Sequence, residues 1–496
     1  MDVARVVHVV SIGRHRDVWL CGGLCASFQP VVLCCLVLCS IHSVLVVVEL
    51  GRSAMAKDDA VATNVDCVVV GGGVAGLCAA KELVQNGVQA VVVLEADGRI
   101  GGRIKQDHDV LPWPIEAGAQ FLHGAKNSIA KQTLDEAGCT LKEHEWPDRY
   151  FFGREKAWVR NDQAHPDVEK VHELFHSVSE REFERDMSAE EWMKEEGADR
   201  NVVELARSCY ANDFACSLHQ LGMQEVQQEA RCWEYGEEYL VLDGPLSALV
   251  DQIRDGLDVR TRHQVSLIQY GASRERGGVR VHCTNGEVFV CDQVVVTVPI
   301  TILQAGQIKF DPPLPSEKVK AIHRLKMSNA LKVVMGFRAP FWPEDMFDAI
   351  CIDCFLPEVW MLDGHRQDIP SESAIQTSVV GFVAGEEAQA MSLMEEADVL
   401  ARSLDQLDTM FGTPAHPCPA STSYVSGQVL DWSKEEHVRG AYTYPCVGAH
   451  GAREILSAPL SDALYFAGEA THHGANPCLQ AAMETGIRAA HQILHN

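Results

Sequence analysis

Positive charge is scarce in this sequence. Its 496 residues hold 42 lysines and arginines against 69 aspartates and glutamates, a formal net charge of −27. A chain this acidic argues against nucleic acid as a partner and leaves small cations as the ligands its field favours. A cysteine framework is missing as well. The 18 cysteines are scattered without tight spacing, the pattern of reduced thiols and not of a disulfide scaffold. Cys351-x-x-Cys354 has no second pair to complete a zinc site and sits in an alternating, strand-like stretch, where core packing accounts for it. His472-His473 and His491-x-x-x-His495 lack a third ligand and read as an exposed helix end, so no metal site is expected.

Long apolar runs are rare, with one exception. Residues 31–48 are apolar apart from Ser40, His42 and Ser43, just long enough to span a bilayer. Arg5, Arg14 and Arg16 precede them, as in a signal anchor. Ala54-Met55-Ala56 has the small-x-small form of a cleavage site, although residues 1–56 make a long leader for a signal peptide. A third reading starts the protein at Met55. The three readings imply a membrane anchor, a secreted chain or a cytoplasmic one, and membrane contact is expected only through residues 31–48.

What is present centres on residues 65–103. The length exceeds one typical core, which predicts two domains, and 47% hydrophobic with 22% charged residues is a globular composition. Residues 67–70 are a β-branched run that reads as a buried parallel strand. It runs into Gly71-x-Gly73-x-x-Gly76, then a helix over 77–86 stopping at Gly87, then a second strand over 88–94 ending on Glu95. This is a βαβ unit for a dinucleotide. Gly71 allows the tight turn, Gly73 lets backbone approach a pyrophosphate, and Gly76 lets helix and strand pack closely. The pyrophosphate would meet the helix N-terminus. Glu95, nineteen residues after Gly76, is placed to accept hydrogen bonds from a ribose.

The continuation Gly98-Arg99-Ile-Gly101-Gly102-Arg103 resembles the extension found in FAD-binding amine oxidases, where the residue matching Arg103 contacts the FAD phosphates. Ile115 through Gly124 resembles the polyamine oxidase form of the segment along the flavin, which implies backbone contact from Gly118, Ala119 and Gln120 and a substrate-positioning role for His123. The same resemblance assigns adenine contact to Val265, in a strand expected over 260–268, and ribityl contact to Glu469. Val294 to Pro299 resembles the strand and turn beneath the pyrophosphate. Lys332 stands among Leu331, Val333 and Val334 on an expected buried strand, where a charge is costly unless partnered. Relatives carry there the lysine bonded through water to flavin N5, so Lys332 is expected to be catalytic, with Trp432 and Tyr442 as aromatic rings beside flavin and substrate. Monoamine oxidases bond FAD through a cysteine where this chain has Ala441, and place a second cage aromatic where it has Cys478. Noncovalent FAD and a substrate other than a monoamine are implied.

Residues 151–228 read as acidic helices, with Val168, Val171, Leu174, Phe175 and Val178 at helical spacing and a capping box at Ser188 and Glu191. Their carboxylates read mostly as a solvated face, a few guiding polycations. No long insertion interrupts the motifs, which by the resemblance disfavours a histone-demethylase role. The expected fold is α/β: a discontinuous Rossmann-like FAD domain over 62–145, 235–320 and 430–496, and an α+β substrate domain over 146–234 and 321–429. The expected activity is FAD-dependent oxidation of a polyamine at a secondary amine, with molecular oxygen as acceptor and hydrogen peroxide as product. The alternatives are an oxidase of another amine or amino acid, and a flavoprotein without turnover serving as an interaction module.

Overall fold

The run Cys67–Val70 has no polar face, and every one of its residues is buried. In the computed structural model, which describes residues 62–271, 278–362, 373–475 and 477–495, it is the middle strand of a five-stranded parallel sheet. The order is Asp258–Arg260, Val91–Leu94, Cys67–Val70, Gln293–Val296, Leu464–Phe466. This Rossmann-like sheet is therefore assembled from three separated stretches of chain. Side chains alternate across it. Cys67, Val69, Val91 and Val93 pack with Ala79, Leu83 and Ala489 of the helices Val74–Gln85 and Leu479–Leu494. Val68, Val70, Val92 and Leu94 pack the other way, with Val281 and Phe289 of a second five-stranded sheet. The two helices touch so closely that a Cβ on Gly486 would lie 2.1 Å from the Ala75 carbonyl oxygen.

Three boundaries differ from the sequence reading. The first helix starts at Val74, not 77. Gly87 then turns with φ +92° and the Val88 N–H donates back to the Leu83 carbonyl, so the next strand begins at Val91, not 88. The strand expected over 260–268 is two strands in two sheets, Asp258–Arg260 and Val265–Gln269. Arg262 at φ +58° breaks it, and the N–H groups of Arg262 and His263 donate to the Asp97 and Glu95 carbonyls. The leader, residues 1–56, lies outside the described residues.

The other large element is a seven-stranded mixed sheet, in the order Tyr424–Asp431, Ala330–Phe337, Thr377–Ala384, Glu358–Leu362, Asp348–Ile352, Arg149–Phe152, Ala157–Arg160. Its last two strands correct the reading of residues 151–228 as purely helical. Arg149–Phe152 is wholly buried and pairs in parallel with Asp348–Ile352, a partnership invisible to local pattern. Beyond it the helices appear as expected: Pro166–His176 buries Val168, Val171, Leu174 and Phe175, and Ser188 and Glu191 form the capping box of Ala189–Glu195. Not all the acids there are solvated, since Glu225 is buried against Arg453 at 3.1 Å. Cys351 lies in a strand and Cys354 in the turn after it, and all thirteen described cysteines are free. Among the described residues no three His, Cys, Asp or Glu side chains form a metal cluster. No helix there is long and apolar enough to cross a membrane.

Candidate active site

A cavity of about 1160 Å³ runs between the two sheet systems. At one end it is walled by the glycine turn. Gly71 sits at φ +113°, and a Cβ on Gly76 would fall 2.0 Å from the Gly71 carbonyl oxygen. Gly73 is different: a Cβ there would meet nothing nearer than the Gly102 Cα at 4.0 Å, so its hydrogen leaves room for a ligand. The first turns of the helices Val74–Gln85 and Leu479–Leu494 both line the cavity. Neither carries an acidic residue in that turn nor a side-chain cap. Two open, electropositive helix ends facing one cavity suit a ligand bearing phosphate at one end and a polarised ring at the other.

Glu95 closes this end. Its oxygens accept from the Gly72 N–H at 2.6 Å and the Asp97 N–H at 2.7 Å. Burial raises its pKa, and these two amides oppose the rise. Val265 lines the cavity nearby. Arg103 donates to the Ala441 carbonyl and to Glu469, both at 2.9 Å. Glu469 is buried and also accepts from the Thr443 hydroxyl, which Arg453 in turn contacts at 3.2 Å.

The other end holds Lys332. Alternation on Ala330–Phe337 sends Leu331 and Val333 into the apolar core behind the sheet and leaves Lys332 on the cavity face. Its three ammonium protons have three acceptors: the carbonyls of Glu116 at 2.7 Å and Gly118 at 2.8 Å, and the Gln120 amide oxygen at 2.9 Å. Burial pulls its pKa down to about 7, opposed by the charges of Glu116 and Glu358. The strip Ala117 to Gln120 is thus tied to the lysine along its length. It is held from the other side by Trp432, whose indole N–H donates to the Ala117 carbonyl at 2.8 Å. Gly118 is obligatory, because a Cβ would lie 2.7 Å from the Trp432 ring and 2.0 Å from the Arg103 carbonyl oxygen. Tyr442 donates its hydroxyl to the Asp213 carbonyl at 2.8 Å. His123 stands edge-on to Tyr239, ring centres 5.1 Å apart. Burial raises the pKa of Asp213, and His123 opposes that rise.

Thirteen of the fourteen expected residues line this single cavity: Gly71, Gly73, Glu95, Arg103, Gly118, Ala119, Gln120, His123, Val265, Lys332, Trp432, Tyr442 and Glu469. Gly76 lies behind the turn it permits. Sequence reasoning missed Asp213, Glu358, Trp360, Phe382 and Tyr239, which line the amine end. The signal for Glu358 was a lone acid opening the strand Glu358–Leu362.

Residues 74–494 match the family of flavin containing amine oxidoreductases. The chain belongs to that family. Relatives include polyamine oxidase 2 of Arabidopsis thaliana, 27% identical over 452 residues, covering 85% of this chain and 86% of the relative. Human lysine-specific histone demethylase 2 is also 27% identical, over 467 residues, covering 87% of this chain but 53% of the relative. The chain therefore spans about half the length of that demethylase. Putrescine oxidase bound to putrescine shares the fold at a TM-score of 0.74 and 20% identity, covering 88% of this chain and 100% of that one. Cyclohexylamine oxidase from Brevibacterium oxydans does so at 0.73 and 19%, covering 87% and 99%. FAD is the cofactor of this amine oxidoreductase. The capless helix ends, the open side of Gly73 and the buried acids Glu95 and Glu469 fit its phosphates and hydroxyls. Ala441, buried on the cavity wall, offers no nucleophile, so the flavin is held noncovalently.

Proposed function

We propose that this amine oxidoreductase oxidises a polyamine, free or acetylated, at a secondary amine, giving an imine that hydrolyses to an aldehyde and a shorter amine. The observation that carries the reading is one cavity end in which a buried lysine, aromatic walls and the carboxylate of Asp213 converge. FAD, when bound, would supply the hydride acceptor, with molecular oxygen as the final oxidant and hydrogen peroxide as its product.

The chain's own residues do the rest. Oxidation needs a neutral nitrogen. A free amine with a lysine-like pKa near 10.4 is neutral about once in two thousand molecules at pH 7, a cost of roughly 4.6 kcal/mol. Walls of Trp432, Tyr442, Trp360 and Phe382 lower that pKa by desolvation. Asp213, whose carboxylate takes no hydrogen bond among the described residues, is open to a remaining ammonium. His123 positions the amine beside it. Lys332 fixes the strip from Glu116 to Gln120 that would hold the flavin, and it would supply positive charge for the reduction of oxygen.

The likeness to histone demethylases supports a second reading, a methylated lysine side chain as the amine. Against it, the longest described helices have 16 residues, and the chain carries no insertion among its motifs. Anaerobic mixing decides. Spermine or spermidine should bleach the yellow enzyme within seconds, whereas amino acids and methylated histone peptides should not. Bleaching by the peptide alone would overturn the polyamine reading.

A further inference from the structure

Glu358 has no task in the reaction as described. It is 5% exposed and lines the amine end. Its position is set by register. Lys332 pairs with Phe382, and Phe382 pairs with Glu358, so the three side chains form one row across three antiparallel strands and project from the same face. Two strand spacings separate the ammonium strand from the carboxylate strand, about 10 Å. Aromatic rings surround the acid. Phe382 stands in the row, Trp360 lies two residues along the same face, and the two rings are 6.0 Å apart. The Trp146 indole N–H donates to Glu358 Oε1 at 3.0 Å while its ring stacks on Tyr239 at 5.5 Å.

Among the described residues this carboxylate has no ion-pair partner. Among the described residues no lysine, arginine or histidine reaches it within 4.0 Å. The nearest cation by charge is Lys332, and all three of its protons are spent on Glu116, Gly118 and Gln120. The second oxygen, Oε2, has only the Asn212 amide at 3.5 Å. Other charges felt at the site are mostly of the wrong sign: Asp213 and Asp348 are acids, and Tyr239, Tyr442 and Cys209 are neutral groups whose ionisation Glu358 opposes. A buried carboxylate persists in such a place when a cation comes to it, and an aromatic box favours an ammonium in particular.

We infer that Glu358 binds the distal ammonium of the substrate and so selects amines carrying a second positive charge about 10 Å from the nitrogen at Lys332. The inference rests on the polyamine reading and names a residue that would decide its specificity. A monoamine of equal length would leave Glu358 uncompensated and bind less well.

The test uses the FAD-loaded enzyme and two probes without a secondary amine, 1,8-diaminooctane and octylamine. Binding is read from the shift in flavin absorbance, and spermidine turnover is followed in parallel. Wild type should prefer the diamine, and Glu358→Gln, which keeps an acceptor for Trp146, should cut that preference about tenfold or more while leaving octylamine binding unchanged. The preference should rise through pH 7 in wild type, as the Glu358 carboxyl loses its proton, and rise less in the variant, where Asp213, a buried acid whose pKa is also raised, still titrates beside the substrate. Lys332, which titrates in the same range, meets both probes alike and cancels in their ratio. Glu358→Asp, with a shorter reach, should move the optimum to a diamine about one methylene longer, a change that a merely structural role would not cause. An unchanged diamine-to-monoamine ratio in both variants overturns the assignment while spermidine turnover stands. Loss of spermidine oxidation in wild type alongside an intact diamine preference overturns the reaction and leaves Glu358 as an ammonium site.

Discussion

At the glycine end of the cavity a ligand meets backbone: the turn at Gly71 and Gly73, two helix N-termini, and one acid at the end of the adjacent strand. At the amine end it meets side chains from segments far apart in the chain. Lys332 bonds a carbonyl 216 residues away, Tyr442 one 229 away, and Glu358 reaches Trp146 across 212. Backbone recognition is encoded where the backbone turns, within a few dozen residues. Side-chain recognition is encoded by register between strands, which no single stretch contains. The first end is sensitive to added volume at its glycines and to loss of the Glu95 charge. The second can be retuned one side chain at a time.

The largest effect expected tests the first half of that statement. Gly76→Ala forces a methyl into a 2.0 Å gap against the Gly71 carbonyl, with the Thr297 hydroxyl at 3.0 Å on another side. Backbone cannot yield cheaply there, so the cost should be about 3 kcal/mol or more. The protein should purify colourless and melt early. A yellow protein with wild-type thermal stability would show that the glycine turn is not what shapes that end.

Lys332→Met probes the amine end. The methionine keeps the bulk but leaves the Glu116 and Gly118 carbonyls without their donor. The enzyme should retain FAD, with turnover lowered on the order of 100-fold and reoxidation by oxygen impaired at least as much as reduction. Stopped-flow separation of the two half-reactions is the measurement, and wild-type turnover would remove the catalytic assignment. Next in size is Glu95→Ala. A charged acceptor worth about 1.5–3 kcal/mol is lost, so FAD should dissociate roughly 10- to 100-fold more readily in equilibrium dialysis. Retention at wild-type strength would mean that Gly72 and Asp97 are the only groups Glu95 serves.

How much was legible follows the same division. Gly71, Gly73, Glu95 and Arg103 could be read because motif and site coincide in sequence. Lys332 was readable for a narrower reason: a lone lysine between Leu331 and Val333 on a strand must face something polar. Asp213 was hidden because it follows a π turn, Arg207–Ala211, in a stretch that reads only as acidic helices with a mostly solvated face. Glu358 was hidden because its meaning comes from pairing with Phe382 and through it with Lys332. The strand Arg149–Phe152 was missed for a similar reason. Its aromatic run is compatible with a buried helix, and only its partner Asp348–Ile352 decides.

The smallest effect sharpens the comparison through the pH dependence of stability. Burial raises Glu358 to about 7 in the folded protein, against about 4.3 for a free glutamate. Between those values the native state binds a proton that the unfolded chain has lost, so this carboxyl lowers stability progressively as pH rises. At about pH 4 and below it is neutral in both states and contributes nothing; past about 7 the loss is complete and constant. The whole shift corresponds to roughly 4 kcal/mol. The amide buried by Glu358→Gln is an offset that pH does not change, so the variant should gain on wild type by about 1–3 kcal/mol from pH 5 to pH 8. Lys332, pulled down to about 7, acts with the opposite slope at higher pH, since an unfolded lysine holds its proton to about 10.4. It is present in both proteins and cancels to first order. Urea unfolding of the FAD-loaded proteins, without amine, across that range is the measurement. A gap between the two that does not change with pH would mean that Glu358 ionises as a solvated acid does, and that the amine end is no drier than the glycine end.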